Sequence, residues 1–164
     1  MSSNAQEAPA IPDVLRSEVS VGLVPGTATQ VAVKAREHAF TIDEPAGLGG
    51  SDIGANPVEH LLAALGSCQV ISTQLWAQKL GLRIDGVDVE LAGNIDLRGF
   101  FGLADDVRPG FEGIDVNLTI RGPEPAERYD ELVAKVEEHC PVLDNLVAPV
   151  PVSLNPRVEA PAAV

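Results

Sequence analysis

A chain of 164 residues with 45% hydrophobic content and mixed charge is long enough to bury a core and is most simply one folded domain. Its 11 Lys and Arg against 24 Asp and Glu give a net charge of −13, which argues against nucleic acid or an anionic membrane surface as a partner. Two cysteines are too few for a secreted disulfide framework, and the first dozen residues lack the basic start and apolar run of a signal peptide, so the expected compartment is the cytosol.

In chain order, residues 1–17 read as a flexible tail, small and polar with scattered Pro. A single domain is expected over 18–155, and 156–164 as a second, Pro/Ala-rich tail. Val19, Val21 and Leu23 alternate with polar or small residues, and Pro25-Gly26 marks a turn. Val31 and Val33 alternate in the same way, as do His38, Phe40 and Ile42, which predicts a three-stranded antiparallel unit. The segment DEPAGLGGSDIGAN, 43–56, is a Gly-rich loop. No Lys-Ser/Thr follows its glycines, so a phosphate cradle is the weaker reading.

The densest apolar stretch follows, NPVEHLLAALGSCQVISTQLWAQKL over 56–80. Asn56 can cap and Pro57 suits a first helical turn, while Glu59 lies near the positive end of the helix dipole. Leu61, Leu62, Leu65, Val70, Ile71, Leu75, Trp76 and Leu80 leave little polar face, which predicts a long buried helix that stops at Gly81. Its polar interruptions rule out a membrane span. Val87, Val89 and Leu91 alternate in a strand whose phase continues through Ile95 and Leu97. A loop over 98–110 carries Phe100 and Phe101; with Trp76 and Phe111 they are core or pocket aromatics, the loop pair suiting an apolar substrate cleft. Ile114 to Ile120 alternate in the cleanest strand. Residues 124–140 have helical periodicity ended by Pro141, and Val150, Val152 and Leu154 read as a last edge strand beside Pro149 and Pro151. The class is α+β.

Both cysteines sit on the apolar stripes of their helices and can meet in one core. Packing alone accounts for many buried thiols. Cys68 is mid-helix beside Gly66 and Ser67, where a reactant can approach closely. Cys140 closes a helix, where the negative dipole end disfavours a thiolate, so it suits the role of a second thiol. A free thiol is only a few per cent thiolate at neutral pH, so Cys68 needs a cation or donor to act. His38, His60 and His139 match no compact zinc motif with the cysteines.

NPVEHLLAALGSC followed far downstream by HCPVL resembles the OsmC/Ohr family of thiol-dependent hydroperoxide reductases, across roughly 18–155. The segment DEPAGLGGSD…NPVEHLLAALGSC is similar to an OsmC-like subgroup. The resemblance implies antiparallel sheets wrapped around a long buried central helix, in an intertwined homodimer with the site at the subunit interface. It implies that Cys68 is the peroxidatic thiol and Cys140 the resolving one, acting on organic hydroperoxides with a dithiol reductant such as dihydrolipoamide and with no cofactor. The better characterised branches carry Glu directly after Asn-Pro, where this chain has Val58 and then Glu59; they also carry an activating Arg before the cysteine helix, where this chain has LGGSD. Arg36 is the first substitute, Arg98 the second and Arg16 a weaker third. Other functions for such a chain are a dimer that binds a small apolar ligand, or a thiol redox sensor.

Overall fold

The computed structural model describes residues 12–159, so most of the 1–17 tail and most of the 156–164 tail lie outside the described residues. The chain divides into two compact units, 1–59 and 60–164.

In the first unit, β1 (Ser20–Leu23), β2 (Val31–Ala35) and β3 (His38–Ile42) form the expected antiparallel meander. Val33 pairs with Val21 on one side and Phe40 on the other. Val33 is buried, whereas Val21, Leu23 and Phe40 remain exposed. Strand β2 turns into β3 through the two residues Arg36 and Glu37, and Arg36 takes the left-handed backbone conformation with φ 55°. Two-residue hairpin turns require that region, which is why they favour Gly or Asn. Arg36, the first candidate activator, therefore belongs to a turn and not to a strand.

The 43–56 loop is ordered by Asp43, whose side chain is fully buried. Its carboxylate accepts from the Thr29 hydroxyl at 2.6 Å and from the backbone N–H groups of Glu44 at 2.9 Å, Ser51 at 2.9 Å and Ile53 at 3.4 Å. Gly50 is needed for this tight path, because a Cβ there would stand 1.7 Å from the Glu44 carbonyl oxygen.

Helix α1 (Pro57–Leu80) begins with a reciprocal cap. The Glu59 N–H donates to Asn56 Oδ1 at 2.9 Å, and the Asn56 N–H donates to Glu59 Oε2 at 2.8 Å. Glu59 thus serves the helix start. The other end closes with Gly81 at φ 65°, its N–H bonding the Gln78 carbonyl while the Leu82 N–H reaches the Ala77 carbonyl.

The second unit pairs β4 (Gly86–Gly93) with β5 (Ile114–Arg121) in an antiparallel ladder. Helix α3 (Ala126–His139) carries the fully buried Leu132 and Val136, which pack with Ala77 of α1 and are flanked by Trp76, Leu80, Leu82, Ile84, Ile120 and Tyr129. Gly66 marks where α1 meets β4, since a Cβ there would stand 2.6 Å from Leu91 Cδ1. The residues α1 buries are Leu65, Gly66, Gln69, Ser72, Thr73 and Ala77, largely small or polar. Ile71, 67% exposed, and Leu75, 47% exposed, stay outside in the single chain together with Leu61. The helix therefore buries one face and leaves much of its aliphatic face open.

Three local expectations are corrected. Strand β4 stops at Gly93, because Asp96 caps the short helix α2 (Leu97–Phe100) and its carboxylate takes the Arg98 N–H, so Ile95 and Leu97 leave the ladder. Pro141 opens a new helix, α4 (Pro141–Val147), where its missing N–H has no partner to lose. Residues 150–154 form no strand, and Pro149 and Pro151 offer no N–H to a ladder. The class is α+β with antiparallel sheets, as expected.

Candidate functional site

On α1, Cys68 lies one turn from the buried Leu65 and Ser72, and its own side chain is half-buried. Cys140 is 1% exposed and lies between α3 and α4. The two sulfurs stand 3.1 Å apart, with the Cys140 thiol donating to Cys68 Sγ. Both are free thiols. The separation exceeds the roughly 2.05 Å of a disulfide by about 1 Å, so a bond between them needs only a small movement.

Burial pushes the Cys140 thiol up from its usual range. The N–H groups of Leu143 and Val142 donate to its sulfur and oppose that shift, while the hydrogen bond to Cys68 adds to it. The balance differs from the expectation of a simple helix C-terminus. Cys140 also caps the start of α4, which favours a thiolate, but desolvation is the larger effect. The outcome is the same: Cys140 keeps its proton and Cys68 is the accessible sulfur.

The remaining candidates lie as follows. Arg98 is held by Asp96, its Nε donating at 3.0 and 3.1 Å to the two carboxylate oxygens. The Arg98 hydrogen bonds hold the Asp96 carboxyl down at about 2, and Asp96 in turn raises the Arg98 guanidinium. Arg36 sits in the β2–β3 turn of the first unit, beside Lys34, Glu18, Val19 and Ser20 around an open hollow of about 360 Å³. Arg16 pairs with Glu18 at 2.9 Å on the surface. Glu59 closes the α1 cap. Phe100 and Phe101 meet edge to face at 5.0 Å and are both exposed, next to exposed Leu97 and Leu103.

His139 stacks on Trp76 with ring centres 4.5 Å apart, and Lys79 Nζ lies 4.2 Å from the same indole. This stack was not legible from spacing, since it joins two helices. Among the described residues no three His, Cys, Asp or Glu side chains form a set able to hold a metal ion. Asp43 was also missed as an organising residue, although an Asp at a strand end before a Gly-rich segment is a recognisable turn-forming pattern.

Two thiols in contact, one buried and protonated and one reachable, can pass between dithiol and disulfide, with the reachable sulfur reacting first. The family model for OsmC-like protein matches residues 49–155. The chain belongs to the OsmC-like family. An OsmC-like protein from Mycoplasma pneumoniae superposes with TM-score 0.70 at 18% identity, over 82% of this chain and 89% of that one. An organic hydroperoxide resistance protein from Legionella pneumophila gives 0.63 at 17% identity, over 84% and 93%. A further organic hydroperoxide resistance protein, from Elizabethkingia anophelis, gives 0.61 at 20% identity, over 85% and 93%. These likenesses show that this member has the OsmC-like fold. No curated protein matches the chain. No helix among the described residues of this OsmC-like chain is long and apolar enough to cross a membrane.

Proposed function

We propose that this OsmC-like chain reduces organic hydroperoxides by a two-cysteine cycle. The observation that carries the reading is the 3.1 Å contact between Cys68 and Cys140. Cys68, as thiolate, attacks the terminal peroxide oxygen; the O–O bond breaks and the alkoxide leaves, taking a proton to become the alcohol. Cys68 is then a sulfenic acid. The Cys140 sulfur attacks the Cys68 sulfur, the S–O bond breaks, and the hydroxyl leaves as water with the Cys140 proton. The two thiols have supplied the two electrons. An external dithiol such as dihydrolipoamide reopens the disulfide by exchange. A close pair of free thiols also suits a reducing compartment such as the cytosol.

The direct test is consumption of cumene hydroperoxide by the reduced protein. One equivalent should be consumed per chain without reductant, with loss of both titratable thiols, and turnover should continue with dihydrolipoamide. Absence of any stoichiometric consumption would remove the reading.

In this proposal Cys68 is activated by an Arg that approaches it in the dimer, Arg36 or Arg98. Arg98 would have to be shared with Asp96, which leaves Arg36 as the first choice. Replacing the activating Arg with Ala should slow alkylation of Cys68 at neutral pH about tenfold, because a nearby cation favours the reactive thiolate. If Arg36→Ala and Arg98→Ala both alkylate at the parent rate, neither guanidinium acts on the thiol.

The functional form is a homodimer. The exposed Ile71, Leu75 and Leu61 along α1, and in the first unit the exposed Val21 and Leu23 of β1, support this reading as aliphatic side chains that a second chain can cover. Sedimentation should give twice the mass of one chain. Ile71→Asp should weaken association by at least about a hundredfold, because an unpaired carboxylate would be desolvated at the interface. A parent protein sedimenting as a folded monomer at micromolar concentration would contradict this.

A further inference from the structure

The same sulfur pair has a property independent of peroxide chemistry: it is a preformed bidentate soft-ligand site. Thiolate is a soft donor that selects thiophilic centres. The two sulfurs lie 3.1 Å apart before anything binds, so ligand choice depends on how large a bite that centre needs. With metal–sulfur bonds of about 2.3 Å, a tetrahedral centre such as zinc spreads two sulfurs to about 3.75 Å and a linear one to about 4.6 Å. A pyramidal centre with angles compressed towards 90° by a lone pair needs only about 3.25 Å at the same bond length.

Ligand number points the same way. Structural zinc requires four protein ligands. The described residues hold no group of three His, Cys, Asp or Glu that could bind a metal, so this site offers two sulfurs and little else. The occupant must bring its remaining substituent with it. That substituent must leave on the Cys68 side, since Cys140 is buried and Cys68 is half-open.

We propose that the reduced Cys68–Cys140 pair is a chelating site for trivalent organoarsenicals. With phenylarsine oxide, both S–H bonds break and two As–S bonds form. The oxide oxygen leaves as water with the two thiol protons. Arsenic stays trivalent, so nothing is oxidised or reduced and no co-reactant is needed. Occupancy removes both thiols at once.

The test uses phenylarsine oxide on the reduced full-length protein, without peroxide, read by intact mass and thiol titration. One adduct per chain should form with loss of both titratable thiols. It should survive excess glutathione and be removed by dimercaptopropanol. In Cys68→Ala and Cys140→Ala, each checked by circular dichroism, the adduct should be stripped by glutathione about a hundredfold faster, since the second bond is no longer intramolecular. Two adducts per chain, no adduct, or glutathione stripping from the parent as fast as from the single-cysteine variants would each overturn the chelate. The parent comparison stands even if a variant misfolds. Because no peroxide is used, a failed chelate leaves the peroxidase reading intact, and a failed peroxidase assay leaves the chelate intact.

Discussion

Cys68→Ser should lower dihydrolipoamide-supported hydroperoxide consumption by at least about a hundredfold while leaving far-ultraviolet circular dichroism unchanged. A serine hydroxyl needs a neighbouring base to become a nucleophile, and a thiolate does not. The exchange also keeps the volume of the half-buried site, so the fold has little reason to respond. Cys140→Ser should behave differently. Its first equivalent of peroxide should still be consumed, because Cys68 is the reachable sulfur, but the sulfenic acid then has no partner at 3.1 Å. The product should be trapped by dimedone and drift towards the sulfinic acid as peroxide rises. Reversed phenotypes would exchange the two roles. More than half the parent rate in Cys68→Ser would remove the cysteine cycle altogether.

Asp43→Ala should lower the melting temperature by about 5–10 °C, the largest stability effect expected of a single polar side chain here. The carboxylate is fully buried and accepts from one hydroxyl and three backbone amides, so its loss leaves four donors without their acceptor rather than breaking one bond. The Thr29 hydroxyl is the largest cause holding its carboxyl below the usual value, with burial opposing and the amides of Ser51, Glu44 and Ile53 adding to the lowering. A carboxyl depressed in the folded state stabilises at pH above the unfolded value near 3.9. That contribution is complete at neutral pH and is lost as pH falls through the lower folded value. Asp43→Asn should therefore melt below the parent at pH 7 and approach it as pH drops below about 4. Parallel pH profiles for the two proteins would show that Asp43 is not the group involved.

Much of this molecule is legible in the sequence because it is local. The meander of β1 to β3 follows from alternation and turn residues, and α1 from Asn56-Pro57 at one end and Gly81 at the other. The pairing of Cys68 with Cys140 was suggested by two apolar stripes and by family resemblance, and the contact bears the juxtaposition out. Less legible were features decided by competition. Ile95 and Leu97 continue a strand's phase, yet Asp96 gives the backbone a cap instead of a ladder. Pro141 stops one helix and starts the next, which are equally allowed roles for a residue without an N–H. The apolarity of α1 predicts burial on most sides, but the single chain buries Leu65 with mainly small and polar residues and leaves Ile71 and Leu75 outside. Hydrophobicity says that a face seeks cover and does not say which chain supplies it.

The distance along the chain between the two thiols carries a consequence of its own. Positions 68 and 140 are 72 residues apart. Closing them into one covalent ring would strip the unfolded ensemble of conformations it otherwise explores, equivalent in the chain-entropy model to about 4 kcal/mol for a ring of that size. Each oxidation would thus tighten the thermodynamic tether on the chain, and each reduction would release it. The form ready to react would be the more readily unfolded one, and the spent form the more heat-resistant. Starvation for reductant would then accumulate the sturdier species, sparing the protein from degradation while its chemistry waits.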